Sequence, residues 1–289
     1  MIEIRDITFQ YQKKPLFKDL EMKLEPGNLY GLLGKNGAGK TTLLKLCCGL
    51  LYPQAGQIQV FGRTPHLRQP AFLSDLFLVP EEFVLPPVSG ALYRQMLAPL
   101  YPAFSGERFE AHLREFDLEL PSRLDRLSQG QKKKFLLAFG LSTGARFLLL
   151  DEPSNGLDIP SKGQFRKILA SELDDNRIIL VSTHQVRDLE HLIDPIVILD
   201  SGRILFSQTL EEFSSHYSIL HGELPAGARV LYQEHVLGKS LSLVEGEVPG
   251  ALPMDLEFLF NAVTTSPDRF TTAGSSRAAG PDPKEVAHA

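Results

Sequence analysis

The chain has 289 residues but no tryptophan, only two cysteines and no excess of positive charge. The cysteines, Cys47 and Cys48, are adjacent, and a disulfide between neighbouring residues has awkward geometry. We therefore expect both to pack in the core, without a disulfide framework or a cysteine metal site. No apolar run reaches the roughly 20 residues of a membrane-spanning helix, and residues 1–6 lack the basic-then-apolar order of a signal peptide. These absences predict a cytoplasmic protein.

The charge balance limits the classes of partner. Lysine and arginine total 30 residues against 35 aspartates and glutamates, so the formal net charge is −5. This balance excludes a general electrostatic attraction to nucleic acid or anionic lipid. We expect no nucleic-acid partner, and membrane contact only through another protein. The consecutive lysines at 132–134 are interpreted as a solvated helix face in preference to a nucleic-acid patch.

The most specific motif is Gly34–Thr41, which matches the phosphate-binding pattern G-x-x-x-x-G-K-[ST] at every required position. A short apolar run precedes it and a helix-like pattern follows it, which is the context that such a loop requires. The glycines let backbone N–H groups approach the phosphates, Lys40 reaches the β- and γ-phosphates, and Thr41 offers a hydroxyl to Mg²⁺. The predicted nucleotide-binding residues here are Gly34, Lys35, Asn36, Gly37, Ala38, Gly39, Lys40, Thr41 and Thr42.

The hydrophobic pattern predicts an α/β fold. Apolar and polar residues alternate over 2–9 and 20–24, which predicts an antiparallel β layer before the phosphate-binding loop. Residues 82–145 are more polar and have helical periodicity, which predicts a helical subdomain. Strands and helices then alternate; the strands are expected at 147–150, 177–181 and 196–199, and the helices near 160–173 and 185–192. The expected class is a P-loop nucleoside triphosphatase with a mostly parallel core sheet, the antiparallel layer and the helical subdomain.

Three parts are expected along the chain. Residues 1–217 are predicted to form the nucleotide-binding ATPase domain, and 218–270 a small C-terminal appendage with weak strand and helix signals. Residues 271–289 are rich in alanine, glycine, serine and proline and are expected to be a disordered tail.

A second motif, Leu148–Glu152, places two carboxylates at the end of a fully apolar strand. Ligands bind at this edge of a parallel sheet, so Asp151 is suited to share a Mg²⁺ ion with Thr41. Glu152 is suited to polarise the water that attacks the γ-phosphate. For such a pair in isolation, the alternative is an acidic helix cap after a strand. The upstream phosphate-binding loop favours the catalytic interpretation.

Between these two motifs, Leu127–Gln131 has the sequence L-S-Q-G-Q, just before a predicted helix. With the three motifs in this order, the chain resembles the ATP-binding subunits of ABC transporters, whose signature is L-S-G-G-Q at this place. Gln129 departs from that pattern, whereas Ser128, Gly130 and Gln131 keep it. A serine and backbone amides at a helix N-terminus make an anion site, and the resemblance implies that these three residues bind ATP.

The resemblance extends over about Ile2–Phe213 and implies further roles. It implies that Tyr11 stacks on adenine, although an ordinary aromatic at a strand end is the alternative. It implies that Ser154–Asp158 is the D-loop that crosses between two subunits, and that His184 senses the γ-phosphate. Glu81 stands where the family typically has a glutamine, and we predict that it belongs to the Mg²⁺ shell; a solvated loop residue is the alternative.

The resemblance also implies an assembly. ATP would lie between the phosphate-binding loop of one copy and the signature of another, in a homodimer or with a close paralogue. Hydrolysis would drive transport through separate transmembrane permease subunits, which would hold the chain at the cytoplasmic face of the membrane. The alternative is a soluble ABC-type ATPase acting in DNA, translation or cluster-assembly processes; the short helical region, the single phosphate-binding loop and the lack of a basic tail disfavour it. A regulatory module without turnover is disfavoured by Glu152.

Overall fold

The structure is a computed structural model that describes residues 1–190, 192–236 and 239–270. The predicted disordered tail, 271–289, lies outside the described residues. The strands are β1 (Ile2–Tyr11), β2 (Lys14–Leu24), β3 (Asn28–Leu33), β4 (Ala55–Val60), β5 (Leu76–Val79), β6 (Phe147–Asp151), β7 (Ile178–Thr183), β8 (Ile196–Asp200), β9 (Arg203–Gln208), β10 (Tyr217–His221), β11 (Val230–Val236) and β12 (Lys239–Glu245). The α-helices are α1 (Lys40–Cys47), α2 (Pro70–Leu73), α3 (Gly90–Leu97), α4 (Gly106–Glu115), α5 (Gln129–Ser142), α6 (Ile159–Ser171), α7 (Leu210–Ser214) and α8 (Leu256–Thr265). Within the described residues, no helix has both the length and the apolarity needed to cross a membrane.

The central sheet has six strands in the order β5-β6-β7-β3-β8-β9. β9 is antiparallel to β8, and all other neighbours are parallel. β6 and β7 are buried along their whole length, as expected for strands covered on both faces. The carboxyl ends of the adjacent strands β5, β6, β7 and β3 meet at one edge, so Glu81, Glu152, His184 and Gly34 follow neighbouring strands. This arrangement confirms the predicted mostly parallel core sheet.

A smaller antiparallel sheet, in the order β2-β1-β4, forms the predicted β layer. Its inward side chains, such as Phe17, pack with α1 and one face of the central sheet in a single apolar cluster. Cys47 and Cys48 are free and buried in this cluster, which confirms their predicted place in the core. Gly202, in the turn between β8 and β9, has a φ of 76° and lies so close to Leu16 that a Cβ would collide with the carbonyl oxygen of Leu16. Glycine is therefore required where the central sheet meets β2.

The helical subdomain lies between β5 and β6 and has an aromatic core. The ring centroid of Phe135 on α5 lies 5.8 Å from that of Phe109 on α4 and 5.4 Å from that of Tyr93 on α3. α5 packs between this core and the central sheet, so little of its surface remains in water. The solvated face expected at 132–134 is consequently wrong for Lys133, whose exposed fraction is 4%.

A buried ion cluster lies at the amino-terminal edge of the central sheet. Glu172, directly after α6, accepts hydrogen bonds from Nη1 of Arg177 at 2.7 Å and Nη1 of Arg108 at 3.0 Å, and lies 3.1 Å from Nε2 of His112. Burial raises the pKa of Glu172, but the hydrogen bond from His112 and the charges of the two arginines together outweigh burial and hold the pKa below its ordinary value. The cluster ties α4 of the helical subdomain to α6 and to the start of β7.

The C-terminal region forms a three-stranded antiparallel sheet, in the order β10-β12-β11, followed by α8. Asp255 caps α8 by accepting a hydrogen bond from a backbone N–H of its first turn at 2.8 Å. Val263 of α8 belongs to the same apolar cluster as Ile198 of β8, so this region packs on the central sheet. The division of the chain into 1–217 and 218–270 stays a prediction.

The segment after β7 differs from its prediction. Instead of a helix near 185–192, the structure describes a 3₁₀ turn, Val186–Asp188. Leu189 and Ile193 have helical spacing, but both are buried beside the central sheet, and the chain passes through Pro195 into β8. Proline disfavours helical conformation in the residue before it, so a helix in this segment could not continue through Asp194 into β8.

Candidate active site

The phosphate-binding loop joins β3 to α1 without a side-chain cap. Gly37 and Gly39 have φ values of 82° and 111°, in the left-handed region that favours glycine. A Cβ on Gly39 would lie 2.8 Å from the ring of Phe17, so this position also lacks space for another side chain. α1 begins at Lys40, and no side chain accepts a hydrogen bond from its first N–H groups. These donors and the positive end of the helix are therefore available to an anion.

Lys40 is buried, with an exposed fraction of 6%. Its Nζ donates hydrogen bonds to the carbonyl oxygens of Gly34 at 2.8 Å and Lys35 at 3.4 Å, and lies 3.3 Å from Oε1 of Glu152. A buried ammonium group requires a nearby negative charge, because removal from water disfavours an unpaired ion. The carboxylate of Glu152 supplies that charge in this structure.

Thr41 and Asp151 meet across the sheet although 110 positions separate them. The hydroxyl of Thr41 donates a hydrogen bond to Oδ2 of Asp151 at 2.7 Å. The hydroxyl of Ser182, near the end of β7, donates to the other carboxylate oxygen, and Asp151 is only 2% exposed. A hydroxyl and a buried carboxylate are hard oxygen donors of the kind that Mg²⁺ prefers. Within the described residues no group of three or more His, Cys, Asp or Glu could hold a metal alone, so Mg²⁺ here would need phosphate oxygens and water.

Glu152 and His184 form the second polar pair of the site. Glu152 is 3% exposed, and its Oε1 lies 2.8 Å from Nδ1 of His184. The backbone N–H of Glu152 donates to the carbonyl oxygen of Ser182 at 3.0 Å, which holds this residue beside β7. The φ of Glu152 is 45°, a left-handed conformation that costs a non-glycine residue about 1–2 kcal/mol. Such strain at a buried carboxylate is typical of functional sites.

Glu81 reaches the same edge of the sheet from the end of β5. Its Oε1 accepts a hydrogen bond from Nδ2 of Asn155 at 3.0 Å, and Oδ1 of Asn155 accepts one from Nε2 of Gln185 at 3.2 Å. Three loops are thereby joined side chain to side chain: the one after β5, the one after β6 and the one after β7.

A cavity of about 530 Å³ brings most of these residues together. Tyr11 lies at its mouth: the ring is 47% exposed, packs edge-on against Phe9 at 5.0 Å, and its hydroxyl lies 3.2 Å from Oγ1 of Thr42. The lining consists of Tyr11, Lys14, Pro15, Leu16, Lys35, Asn36, Gly37, Gly39, Lys40, Thr41, Thr42, Glu81, Glu152 and His184. A cleft of about 970 Å³ beside β1, β2 and β9 is larger, but it lacks the phosphate-binding loop and the buried carboxylates. Convergent polar groups make the smaller cavity the candidate site.

The signature residues lie elsewhere on the surface. Ser128 caps α5: its hydroxyl accepts a hydrogen bond from the N–H of Gln131 at 3.2 Å, and its own N–H donates to Oε1 of Gln131 at 3.0 Å. Gly130 packs against Gly156, where an added Cβ would lie 3.0 Å from the carbonyl oxygen. Ser128, Gly130 and Gln131 do not line the cavity. Within one chain the structure therefore does not bring the signature to the phosphate-binding loop.

Comparison with known proteins identifies the family. Residues 17–155 match the family model described as ABC transporter. The chain is 31% identical to the ABC transporter ATP-binding protein NatA of Bacillus subtilis (strain 168) over 228 residues, which are 73% of this chain and 90% of NatA. It belongs to the ABC transporter family.

Two further comparisons agree with this assignment. The chain is 32% identical over 218 residues to the Nod factor export ATP-binding protein I of Burkholderia orbicola (strain AU 1054), covering 70% of this chain and 68% of that protein. A solved structure of the ATP-binding subunit of an ABC transporter superposes with a TM-score of 0.67 at 27% identity, covering 73% of this chain and 91% of that one. The predicted family, the fold class and the function as a transporter-powering ATPase that binds ATP are confirmed.

Some residues of this ABC site were missed by sequence reasoning. Ser182 had a signal, since it lies two positions before His184 at the end of a predicted strand. Gln185 had none, because its partner Asn155 lies 30 positions away. Lys133 was predicted to be solvated, because a run of three lysines does not indicate which side chain is buried.

Proposed function

We propose that this chain binds ATP with Mg²⁺ in the cavity and hydrolyses it to power transport through separate membrane subunits. The observation that carries the proposal is the convergence of three groups around one cavity. These groups are the buried ammonium of Lys40, the pair of Thr41 and Asp151, and the pair of Glu152 and His184. They combine phosphate binding, a metal shell and a base for water, the parts that phosphoryl transfer requires.

Lys40 and the N–H groups at the start of α1 bind the phosphates in this mechanism. In the structure Lys40 pairs with Glu152 at 3.3 Å, so an arriving γ-phosphate replaces the carboxylate as the partner of the ammonium. Glu152 is then free to accept a proton from the attacking water, while the bond from the γ-phosphorus to the β-phosphate oxygen breaks. His184, through Nδ1, positions the carboxylate at 2.8 Å, and we assign it a second contact with the γ-phosphate.

Thr41 and Asp151 would hold Mg²⁺. When bound, this ion neutralises the charge that develops on the phosphate oxygens. The hydrogen bond of 2.7 Å between the two side chains holds both donors in place before nucleotide enters. Glu81 lines the same cavity, and we assign it to the metal shell as a further oxygen donor. Tyr11, at the mouth, is assigned to the adenine ring.

A second ATP-binding subunit is the proposed partner for the signature. Ser128 and Gly130 lie outside the cavity of their own chain, at the start of α5. Ile159, directly after the D-loop, is 87% exposed, which is unusual for a large apolar side chain at the start of a helix. A second copy or a close paralogue that covers Ile159 would place its signature over the nucleotide.

The membrane partner is proposed to cover the helical subdomain. Val84, Met96 and Leu100 are 93%, 61% and 59% exposed. Val84 lies only three positions from Glu81, so a permease docked there would sense the nucleotide site. Through this contact the chain would lie on the cytoplasmic face of the membrane.

The test has two parts. Phosphate release by the purified chain is measured against Mg²⁺ and against protein concentration; we expect no release without Mg²⁺ and a turnover per chain that rises with protein concentration. The tagged chain is then purified from solubilised membranes, with Val84→Glu beside Leu173→Glu as a matched exposed-leucine control. We expect a polytopic membrane protein with the wild type and the control, and its loss with Val84→Glu. Recovery on ribosomes or DNA, without a membrane protein, would instead support the soluble alternative.

A further inference from the structure

Lys133 is buried, yet all its polar contacts go to one short segment. Nζ donates hydrogen bonds to the carbonyl oxygens of Pro80 and Glu81, both at 3.2 Å. The same ammonium lies 5.3 Å from the ring centroid of Phe83, within the range of a cation–π contact. One lysine of α5 therefore holds three of the four residues from 80 to 83 at the exit of β5.

The surroundings of Lys133 are negative. Burial lowers its pKa, and the charges of Glu81, Asp151 and Glu152 act in the opposite direction. Burying a charge costs free energy. If Lys133 only filled space, an uncharged side chain of similar length could therefore replace it without loss of stability. The cation is instead placed where carboxylates of the nucleotide site offset part of that cost, although burial still holds the pKa of Lys133 below its ordinary value.

The position of Lys133 on α5 connects two parts of the site. At the start of α5, the signature residue Ser128 is the exposed cap and Gly130 is half-buried, whereas Lys133 in the next turn is buried. The helix thus presents the signature outward and holds the segment of Glu81 inward. Since the helical turn between them is rigid, a displacement of the signature at the start of α5 also moves Lys133 and the segment that it contacts.

We propose that Lys133 is a positioning residue that fastens the segment 80–83 to the signature helix and thereby sets the place of Glu81 in the nucleotide site. Two anchors then act on Glu81: Lys133 holds the backbone carbonyl, and Asn155 holds the side chain at 3.0 Å. The effect of Lys133 on turnover rests on the proposed function, whereas the anchoring of the segment does not.

The contact of Lys133 with the segment 80–83 can be tested with one introduced tryptophan as a fluorescent reporter, since the chain has no tryptophan of its own. In a Phe83→Trp background, the acrylamide quenching constant of the new tryptophan is measured without nucleotide. We expect Lys133→Met to raise it about twofold or more, because the segment loses three contacts. Lys132→Met is the matched control: Lys132 is half-buried in the same lysine run, and its side chain makes no hydrogen bond or ion pair with the described residues, whereas its backbone N–H donates to the carbonyl oxygen of Ser128. Equal quenching in Lys133→Met and its parent overturns the proposal.

If the Phe83→Trp protein does not fold, a second measurement tests the same contact without an introduced tryptophan. Hydrogen exchange of the peptide 80–85 is compared in Lys133→Met, Lys132→Met and the otherwise unchanged chain. Faster exchange of that peptide in Lys133→Met alone supports the anchor, and equal exchange in all three proteins overturns it.

Turnover separates a positioning role from a merely structural one. We expect Lys133→Met to lower kcat roughly tenfold with KM for ATP within about twofold, because Lys40 and the phosphate-binding loop are untouched. Lys133→Arg, which keeps the donors and the charge, should recover most of kcat. A parent without turnover would refute the proposed function but leave the quenching result valid, whereas an active Lys133→Met with unchanged kcat would refute the positioning role alone.

Discussion

Replacement of Glu152 by glutamine should have two separately measurable effects: a loss of folding stability without nucleotide and a loss of ATP turnover. The amide keeps the volume of the side chain but removes its negative charge. Lys40, 6% exposed and 3.3 Å from Glu152, would then be a buried cation with no carboxylate in contact. It would keep its hydrogen bonds to the carbonyl oxygens of Gly34 and Lys35 at 2.8 and 3.4 Å.

The magnitude follows from these contacts. Removal of one partner of a buried ion pair costs about 3–5 kcal/mol. Since Lys40 retains two carbonyl acceptors and gains the new amide oxygen, we expect a smaller loss, about 1–3 kcal/mol of unfolding free energy without nucleotide. In a chain of this size that corresponds to a fall in Tm of roughly 2–10 °C. Loss of the base should lower turnover about 10²–10⁴-fold.

Nucleotide should reverse the loss of stability. The γ-phosphate gives Lys40 a new negative partner, so Mg-ATP should raise the Tm of Glu152→Gln by more than it raises that of the wild type. Without hydrolysis the variant should accumulate as an ATP-bound dimer. The assay combines thermal unfolding, with and without Mg-ATP, with phosphate release. Glu82→Gln, an exposed neighbour of the site, is the control and should match the wild type in both.

Two results would refute this reasoning. Phosphate release at the wild-type rate by Glu152→Gln would remove Glu152 as the base. An unchanged Tm in the nucleotide-free variant, with no additional gain from Mg-ATP, would show that the contact between Lys40 and Glu152 does not compensate the buried cation.

Lys40→Ala should weaken ATP binding about 10- to 100-fold, the effect of one charge-assisted hydrogen bond, as measured by titration with a fluorescent analogue. Ser128→Arg should leave ATP binding intact but, when added to Glu152→Gln, should prevent the ATP-bound dimer from forming, as measured by light scattering. An undiminished dimer would contradict the placement of ATP between the phosphate-binding loop of one copy and the signature of the other. Glu81→Gln should keep ATPase activity with an altered Mg²⁺ dependence, and superimposable Mg²⁺ titrations of wild type, Glu81→Gln and Glu81→Ala would exclude Glu81 from the metal shell. Because its ion partners lower the pKa of Glu172 in the folded state, the stability they contribute is present above its ordinary pKa and is lost as pH falls through the folded value. Urea unfolding between about pH 6 and 3 should show this loss, and Glu172→Gln should flatten it.

Local sequence patterns were sufficient to predict the parts of this protein whose requirements are local. The loop from Gly34 to Thr41 needs glycines, a lysine and a following helix within a few residues, so its geometry is visible in the pattern. Leu148–Glu152 is a buried strand that ends in carboxylates, which again needs only neighbouring positions. The antiparallel layer and the helical subdomain followed from periodicity over short windows.

Which of these parts contact one another depends on packing between elements that are distant in sequence. Thr41 reaches Asp151 across 110 positions because the loop after β3 and the end of β6 lie at the same edge of the central sheet, with only β7 between the two strands. Lys133 is buried rather than solvated because α5 packs between the helical subdomain and the central sheet, and a sequence of three lysines does not reveal which side of the helix is covered. The segment at 185–192 had helical spacing, but its apolar residues contact the core while the chain turns into β8. In each case the deciding contact joins residues far apart in sequence, and local propensity carries no information about such contacts.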